Sequence, residues 1–141
     1  MMIKIFLVED EIAIRKGIKN SIDWEKEGYE FVGEAGDGEL AYPMILKTKP
    51  DILITDIKMP FMDGLQLSKL VGKELPATKI LILSGYDEFE YAKEAIKLQV
   101  AEYLLKPISS AKLLDVLAQV KEVIRQELEE KELIKKYKED M

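Results

Sequence analysis

The sequence predicts an α/β domain in which helices cover both faces of a parallel, doubly wound sheet. Five apolar runs of about five residues recur along the chain, and longer segments with helical periodicity separate them. Most of the runs are nearly continuous in apolar side chains, as strands covered on both faces must be. Five strand–helix units with right-handed crossovers make an open sheet, whereas a closed barrel would take eight.

Taken in order, the first strand is Ile3 to Val8, and the helix after it is Ile12 to Ile22, where Ile14, Ile18 and Ile22 recur at four-residue spacing. The second strand, Glu30 to Ala35, leads into a helix at Gly38 to Lys47. The third, Asp51 to Thr55, is followed by two turn signals, Pro60 and Asp63-Gly64, and then by a helix at Leu65 to Lys73. The fourth strand, Lys79 to Leu83, precedes a helix at Glu88 to Leu98, whose Phe89, Ala92 and Ile96 are expected to face the core. The fifth, Ala101 to Leu105, precedes a helix starting near Ser109 with Leu113, Leu117, Val120 and Ile124 at core spacing. From Gln126 onward the stripe fails and charged i, i+4 pairs such as Glu127/Lys131 and Glu132/Lys136 favour a solvated helix. Residues 1–123 are thus expected to form the domain and residues 124–141 a charged helical tail. That tail holds fewer than two sustained heptads, which gives little ground for a coiled coil.

Composition narrows the chemistry. In 141 residues, 48% of them apolar, there is neither cysteine nor histidine. Disulfides, thiolate zinc sites, histidine metal sites and histidine-dependent nucleophiles are therefore excluded within these residues. The net charge of −6 without a basic stripe argues against nucleic-acid contact by this segment. The opening "MMIKIFLVEDE" is too short an apolar stretch for a signal sequence or a membrane span, which makes a cytoplasmic location the expectation.

In a doubly wound sheet, ligands bind beyond the carboxyl ends of the strands. The residues there are Glu9, Asp10 and Glu11 after the first run, Asp56 after the third, Ser84 and Gly85 after the fourth, and Lys106 and Pro107 after the fifth. Singly, each has a plainer role. Glu9 and Asp10 suit a helix cap, Asp56 a strand end, Ser84 a turn and Lys106 a solvated surface. Their joint placement points instead to one crevice of carboxylates, a hydroxyl and an ammonium. Like charges at such spacing need a compensating cation beyond Lys106, and Mg²⁺ suits an all-oxygen site. An aspartate oxygen could then attack a phosphoryl group held by Lys106, Ser84 and the metal. The glycines of "GEAGDG" fail the dinucleotide-loop spacing, and Trp24 reads as packing.

"VEDE", "DIKMPFMDG", "LSGY" and "YLLKP", in that order, resemble the receiver domains of two-component response regulators over Ile3 to about Val123. The resemblance implies a flavodoxin-like strand order, 2-1-3-4-5. It implies Asp56 as phosphoacceptor, with Asp56, Asp10 and the Lys58 carbonyl as Mg²⁺ ligands and Glu9 acting through a water. Lys106 and Ser84 would bind the phosphoryl group, Tyr103 matches a switch aromatic, and Pro107 matches a position preceded by a cis peptide. A sensor histidine kinase would donate the phosphoryl group, and the fourth helix, fifth strand and fifth helix would carry the output, including homodimer formation. Tyr86 and Lys58, each two residues past a site residue, are expected to tune the lifetime of the phosphate.

"SGYDEFEYAKEAIKLQVAEYLLKP" and "IDWEKEGYEFVGEAGDGELA" look like receivers that precede AraC-type DNA-binding domains, so an effector is expected beyond Met141. Three other classes are weighed against this one. A haloacid-dehalogenase-like phosphatase would carry its general acid where Lys58 stands. A phosphorylation-independent interaction module would keep the fold but often lose an acid or the lysine. A flavodoxin would need a hydroxyl-rich phosphate loop where "EDEIAI" is acidic.

Overall fold

The structure, a computed structural model, describes residues 2–85 and 89–140, with Phe89 described in its backbone alone. The chain divides into two compact units, Met1–Ser110 and Ala111–Met141. In the first, five strands form one parallel sheet in the order β2-β1-β3-β4-β5. They are β1 (Ile3–Val8), β2 (Tyr29–Ala35), β3 (Ile52–Asp56), β4 (Lys79–Ser84) and β5 (Glu102–Leu105). The helices are α1 (Ile12–Ser21), α2 (Gly38–Thr48), α3 (Gly64–Glu74), α4 (Phe89–Lys97) and α5 (Ser110–Glu139).

Alternation along the central strands splits their side chains between two faces. Phe6, Val8, Leu53, Ile80 and Ile82 pack in one cluster with Ala41 and Ile45 of α2, Leu67 and Val71 of α3, and Ala95 of α4. The alternate residues Ile5, Leu7, Ile54 and Leu83 are also buried and face the other way, where Leu83 lines a pocket with Ile14 and Ile18 of α1. The apolar runs are therefore continuous because the strands are covered on both sides.

Local chemistry sets the helix starts. The Asp37 side chain accepts from Leu40 N at 2.8 Å and begins α2. Asp63 and Gln66 form a reciprocal capping box at the start of α3, with bonds of 2.8 and 3.1 Å. At the other end of α2, Lys49 adopts a left-handed conformation (φ 49°) and donates its N–H to Ile45 O at 2.8 Å.

Two helices depart from the sequence expectation. In α4 the stripe is rotated by one position: Ala95 is fully buried and Tyr91 packs on the core, while Ile96 is 74% exposed. Small and large apolar residues mark a helix face equally in a periodicity count, but alanine allows the closer approach to the sheet. In α1 no residue is fully buried; Ile14 and Ile18 are only half-covered, and Ile22 is buried just beyond the helix end. The second unit is α5 alone, a single helix whose Leu113, Val116, Leu117, Val120 and Ile124 are buried and whose residues from Arg125 onward are exposed. Arg125 pairs there with Glu122 and Glu129. No helix among the described residues is long and apolar enough to cross a membrane.

Candidate functional site

Because every strand is parallel, the carboxyl ends of β1, β3, β4 and β5 share one edge. Register then aligns the residues that follow them: Val8 pairs with Thr55, Asp56 with Leu83, and Ser84 with Leu105. Glu9 and Asp10 therefore emerge beside Asp56, and Ser84 and Lys106 lie on the next strands across.

The side chains converge accordingly. Lys106 Nζ stands 2.7 Å from Glu9 Oε1 and 3.0 Å from Asp56 Oδ2. One oxygen each of Glu9, Asp10 and Asp56 falls within a common 4.8 Å. Glu9 and Asp56 are buried (0% and 6% exposed), while Asp10 reaches solvent. Glu9 Oε2 accepts from Glu11 N at 3.1 Å, one residue ahead of α1, so the carboxylate steadies the turn before the helix and does not cap it. Asp56 Oδ1 accepts from Ile57 N at 2.8 Å, leaving its other oxygen to Lys106.

Electrostatics follow from this crowding. Burial pushes the Glu9 carboxyl up to about 7; Lys106 and the Glu11 N–H oppose that rise, and the Asp56 charge adds to it. Burial also raises Asp56 above the usual aspartate range, against the opposing hydrogen bond and charge of Lys106. For Lys106, burial favours the neutral amine, but the bonds and charges of Glu9 and Asp56 outweigh it and hold the ammonium above its ordinary value. Among the described residues, Lys106 pairs with two of the three clustered carboxylates, Glu9 and Asp56, and those two are buried. That donor set is hard, oxygen-only and short of positive charge, which fits a divalent ion of the magnesium class and no softer metal.

The remaining predicted residues surround this centre. The Tyr103 hydroxyl donates to Ser84 Oγ at 2.6 Å, and Ser84 Oγ donates to the Gly85 carbonyl at 3.1 Å. Tyr103 is half-buried and packs on the core cluster, so its ring is directed inward from the edge strand. The Lys106–Pro107 peptide is cis. The Lys58 side chain is exposed and passes over the Tyr91 ring, 5.9 Å from its centroid. Tyr86 lies outside the described residues. Gly64 closes the loop after β3: its N–H donates to Ile57 O at 2.7 Å, and a Cβ there would stand 1.9 Å from the Asp56 carbonyl oxygen. Only glycine allows that approach.

Three contributors, Arg15, Lys19 and Glu34, had no local sequence signal. Arg15 of α1 donates from Nη1 to the Glu9 carbonyl at 2.7 Å and from Nε to Glu34 Oε1 at 3.3 Å, and Lys19 Nζ lies 2.8 Å from Glu34 Oε2. These partners meet only once α1 lies against β2.

Comparison with known proteins places the chain in a family. The transcriptional regulatory protein YesN of Bacillus subtilis (strain 168) is 44% identical over 131 residues, covering 92% of this chain and 36% of its own length. HptR of Staphylococcus aureus (strain N315), also a transcriptional regulatory protein, is 38% identical over 112 residues, covering 79% of this chain and 44% of its own. The chain therefore spans less than half the length of these relatives. The receiver domain of AraT, a response regulator from Geobacillus stearothermophilus, superposes with a TM-score of 0.85 at 47% identity, covering 91% of this chain and 99% of that one. A two-component transcriptional regulator AraC from Clostridium phytofermentans superposes with a TM-score of 0.80 at 35% identity, covering 88% and 96%. With residues 5–118 matching the response regulator receiver domain, the chain belongs to that family of two-component signalling proteins, and the 2-1-3-4-5 sheet read from its motifs is the sheet it forms.

Proposed function

We propose that this chain is a phosphorylation switch in which Asp56 takes a phosphoryl group from the phosphohistidine of a sensor kinase. The observation that carries this reading is the bridging of Glu9 and Asp56 by Lys106, with Asp10 completing the acidic cluster. An Asp56 oxygen attacks phosphorus, the bond from phosphorus to the donor's imidazole nitrogen breaks, and the imidazole keeps the electron pair and regains a proton. Lys106 and Ser84 bind two of the three phosphoryl oxygens. Asp10, Asp56 and the Lys58 carbonyl would hold Mg²⁺, with Glu9 acting through a water. When bound, Mg²⁺ would supply positive charge to offset the carboxylates and the incoming phosphoryl group.

The switch follows from what Ser84 must leave. Its hydroxyl is engaged by Tyr103 and by the Gly85 carbonyl, so turning it to a phosphoryl oxygen pulls on both Gly85 and the β5 aromatic. Two charge-assisted bonds at about 1.5 to 3 kcal/mol each approach the ~5.5 kcal/mol that inverts a 1:99 population. Output is read from α4 and β5, where Ile96 and Leu105 stand 74% and 50% exposed, and in the longer protein it drives an AraC-type transcriptional effector in the cytoplasm. Lys58, two residues past Asp56, limits access of hydrolytic water.

The test is incubation with acetyl phosphate and Mg²⁺ followed by intact mass. Wild type gains one phosphoryl group and Asp56→Asn gains none; a gain that persists in the variant moves the acceptor elsewhere.

A further inference from the structure

The acidic face of the site is tied down by a residue that does not belong to it. α1 carries no fully buried side chain, and its Ile14 and Ile18 are only half-covered. Its inner face instead presents Arg15 and Lys19, one turn apart, which grip the two oxygens of Glu34 on β2 at 3.3 and 2.8 Å. Lys19, and after it Arg15, hold the Glu34 carboxyl below the usual glutamate range, so this pair stays ionised at neutral pH. Arg15 makes a second bond of a different kind, from Nη1 to the Glu9 main-chain carbonyl at 2.7 Å.

That carbonyl belongs to the peptide joining Glu9 to Asp10. A bond to it fixes the plane of the peptide and hence the direction in which Asp10 leaves the chain. The neighbouring glycine provides the room: a Cβ on Gly36 would stand 3.1 Å from Nη1. A guanidinium suits the task because its rigid fork can serve two acceptors on two different elements at once.

We propose that Arg15 is a positioning residue for the divalent-cation site, setting the Glu9–Asp10 peptide so that the Asp10 carboxylate stays in register with Asp56. This rests on the reading of Glu9, Asp10 and Asp56 as a Mg²⁺ site. It goes beyond that reading by placing one determinant of metal affinity on α1, anchored to the edge strand through Glu34. The bland rival is that Arg15 merely pins α1 to β2. Glu34→Gln separates the two, because it weakens the α1–β2 grip and leaves the bond to the Glu9 carbonyl in place.

The experiment titrates Mg²⁺ alone into the whole 141-residue chain and follows the backbone amide shifts of residues 9–11 by NMR, with thermal unfolding measured on the same samples. Loss of a residue that orients a metal ligand typically weakens metal binding about tenfold, which is the effect expected for Arg15→Ala, while Glu34→Gln should stay within about twofold of wild type although both lower the melting temperature. Gly36→Ala pushes the guanidinium without deleting it. It should weaken Mg²⁺ binding in the same direction, and it decides the matter if Arg15→Ala does not fold. Equal losses in Arg15→Ala and Glu34→Gln, or wild-type affinity in Arg15→Ala or in its substitute Gly36→Ala, would overturn the proposal. Absence of any Mg²⁺-dependent shift in wild type would overturn the metal-site reading itself.

Discussion

Glu9 is the residue whose situation is most costly. Its carboxyl is fully buried, shares Lys106 with Asp56, and is pushed up to about 7 chiefly by burial. An acid whose folded pKa lies above its unfolded value holds more protons in the native state. In metal-free buffer, stability should therefore fall as pH rises from about 4.5 through about 7. Glu9→Gln removes the charge and keeps the shape, so it should flatten that slope and raise the urea midpoint at pH 8; an unchanged slope would place the titration elsewhere. Tyr103→Phe tests the other half of the site. It removes the donor to Ser84 and should cost about 1 kcal/mol in urea unfolding, with Ser84 still bonded to the Gly85 carbonyl. At this scale the sequence was readable wherever a residue followed an apolar run: Glu9, Asp10, Asp56, Ser84 and Lys106 each lie at a strand end. Arg15 and Glu34 stand 19 residues apart on a helix and an edge strand, and no spacing rule joins them.

Among the elements, α3 and α2 show how local chemistry sets boundaries. The capping box of Asp63 and Gln66 satisfies two groups at the start of α3, so Asp63→Ala should destabilise the protein by about 1 kcal/mol. At the end of α2 the opposite change helps. Lys49 holds φ 49°, a region where any side chain is strained, and Lys49→Gly should stabilise by roughly 0.5 kcal/mol. Both are read by urea denaturation, and a destabilised Lys49→Gly would contradict the cap geometry. The α4 stripe went the other way, with Ile96 outside and Ala95 inside. Periodicity locates a face only to within a residue when both neighbours are apolar, and the sheet surface then selects the side chain that fits. For α1 the stripe of isoleucines suggested a packed helix, yet its seating depends on ion pairs to Glu34 and on the Trp24 indole, which donates to Lys19 O at 2.9 Å.

At the scale of the whole chain, the two units call for separate expectations. Residues from Arg125 to Asp140 are exposed throughout, so deleting residues 126–141 should reduce the helical circular-dichroism signal while leaving the urea midpoint of the remainder unchanged. A lowered midpoint would show that the tail contributes to folding. The strand–helix alternation, the two-sided burial of the central strands and the carboxyl-end location of the acids, serine and lysine were all determined by the sequence alone, because each is written in short stretches of neighbouring residues. The tertiary structure alone decided three other matters: that Lys106 bridges Glu9 and Asp56, that the Tyr103 hydroxyl rests on Ser84, and that α1 is held to β2 by charge. Distances between side chains on different elements depend on sheet register and helix rotation, and neither is carried by any local run of residues.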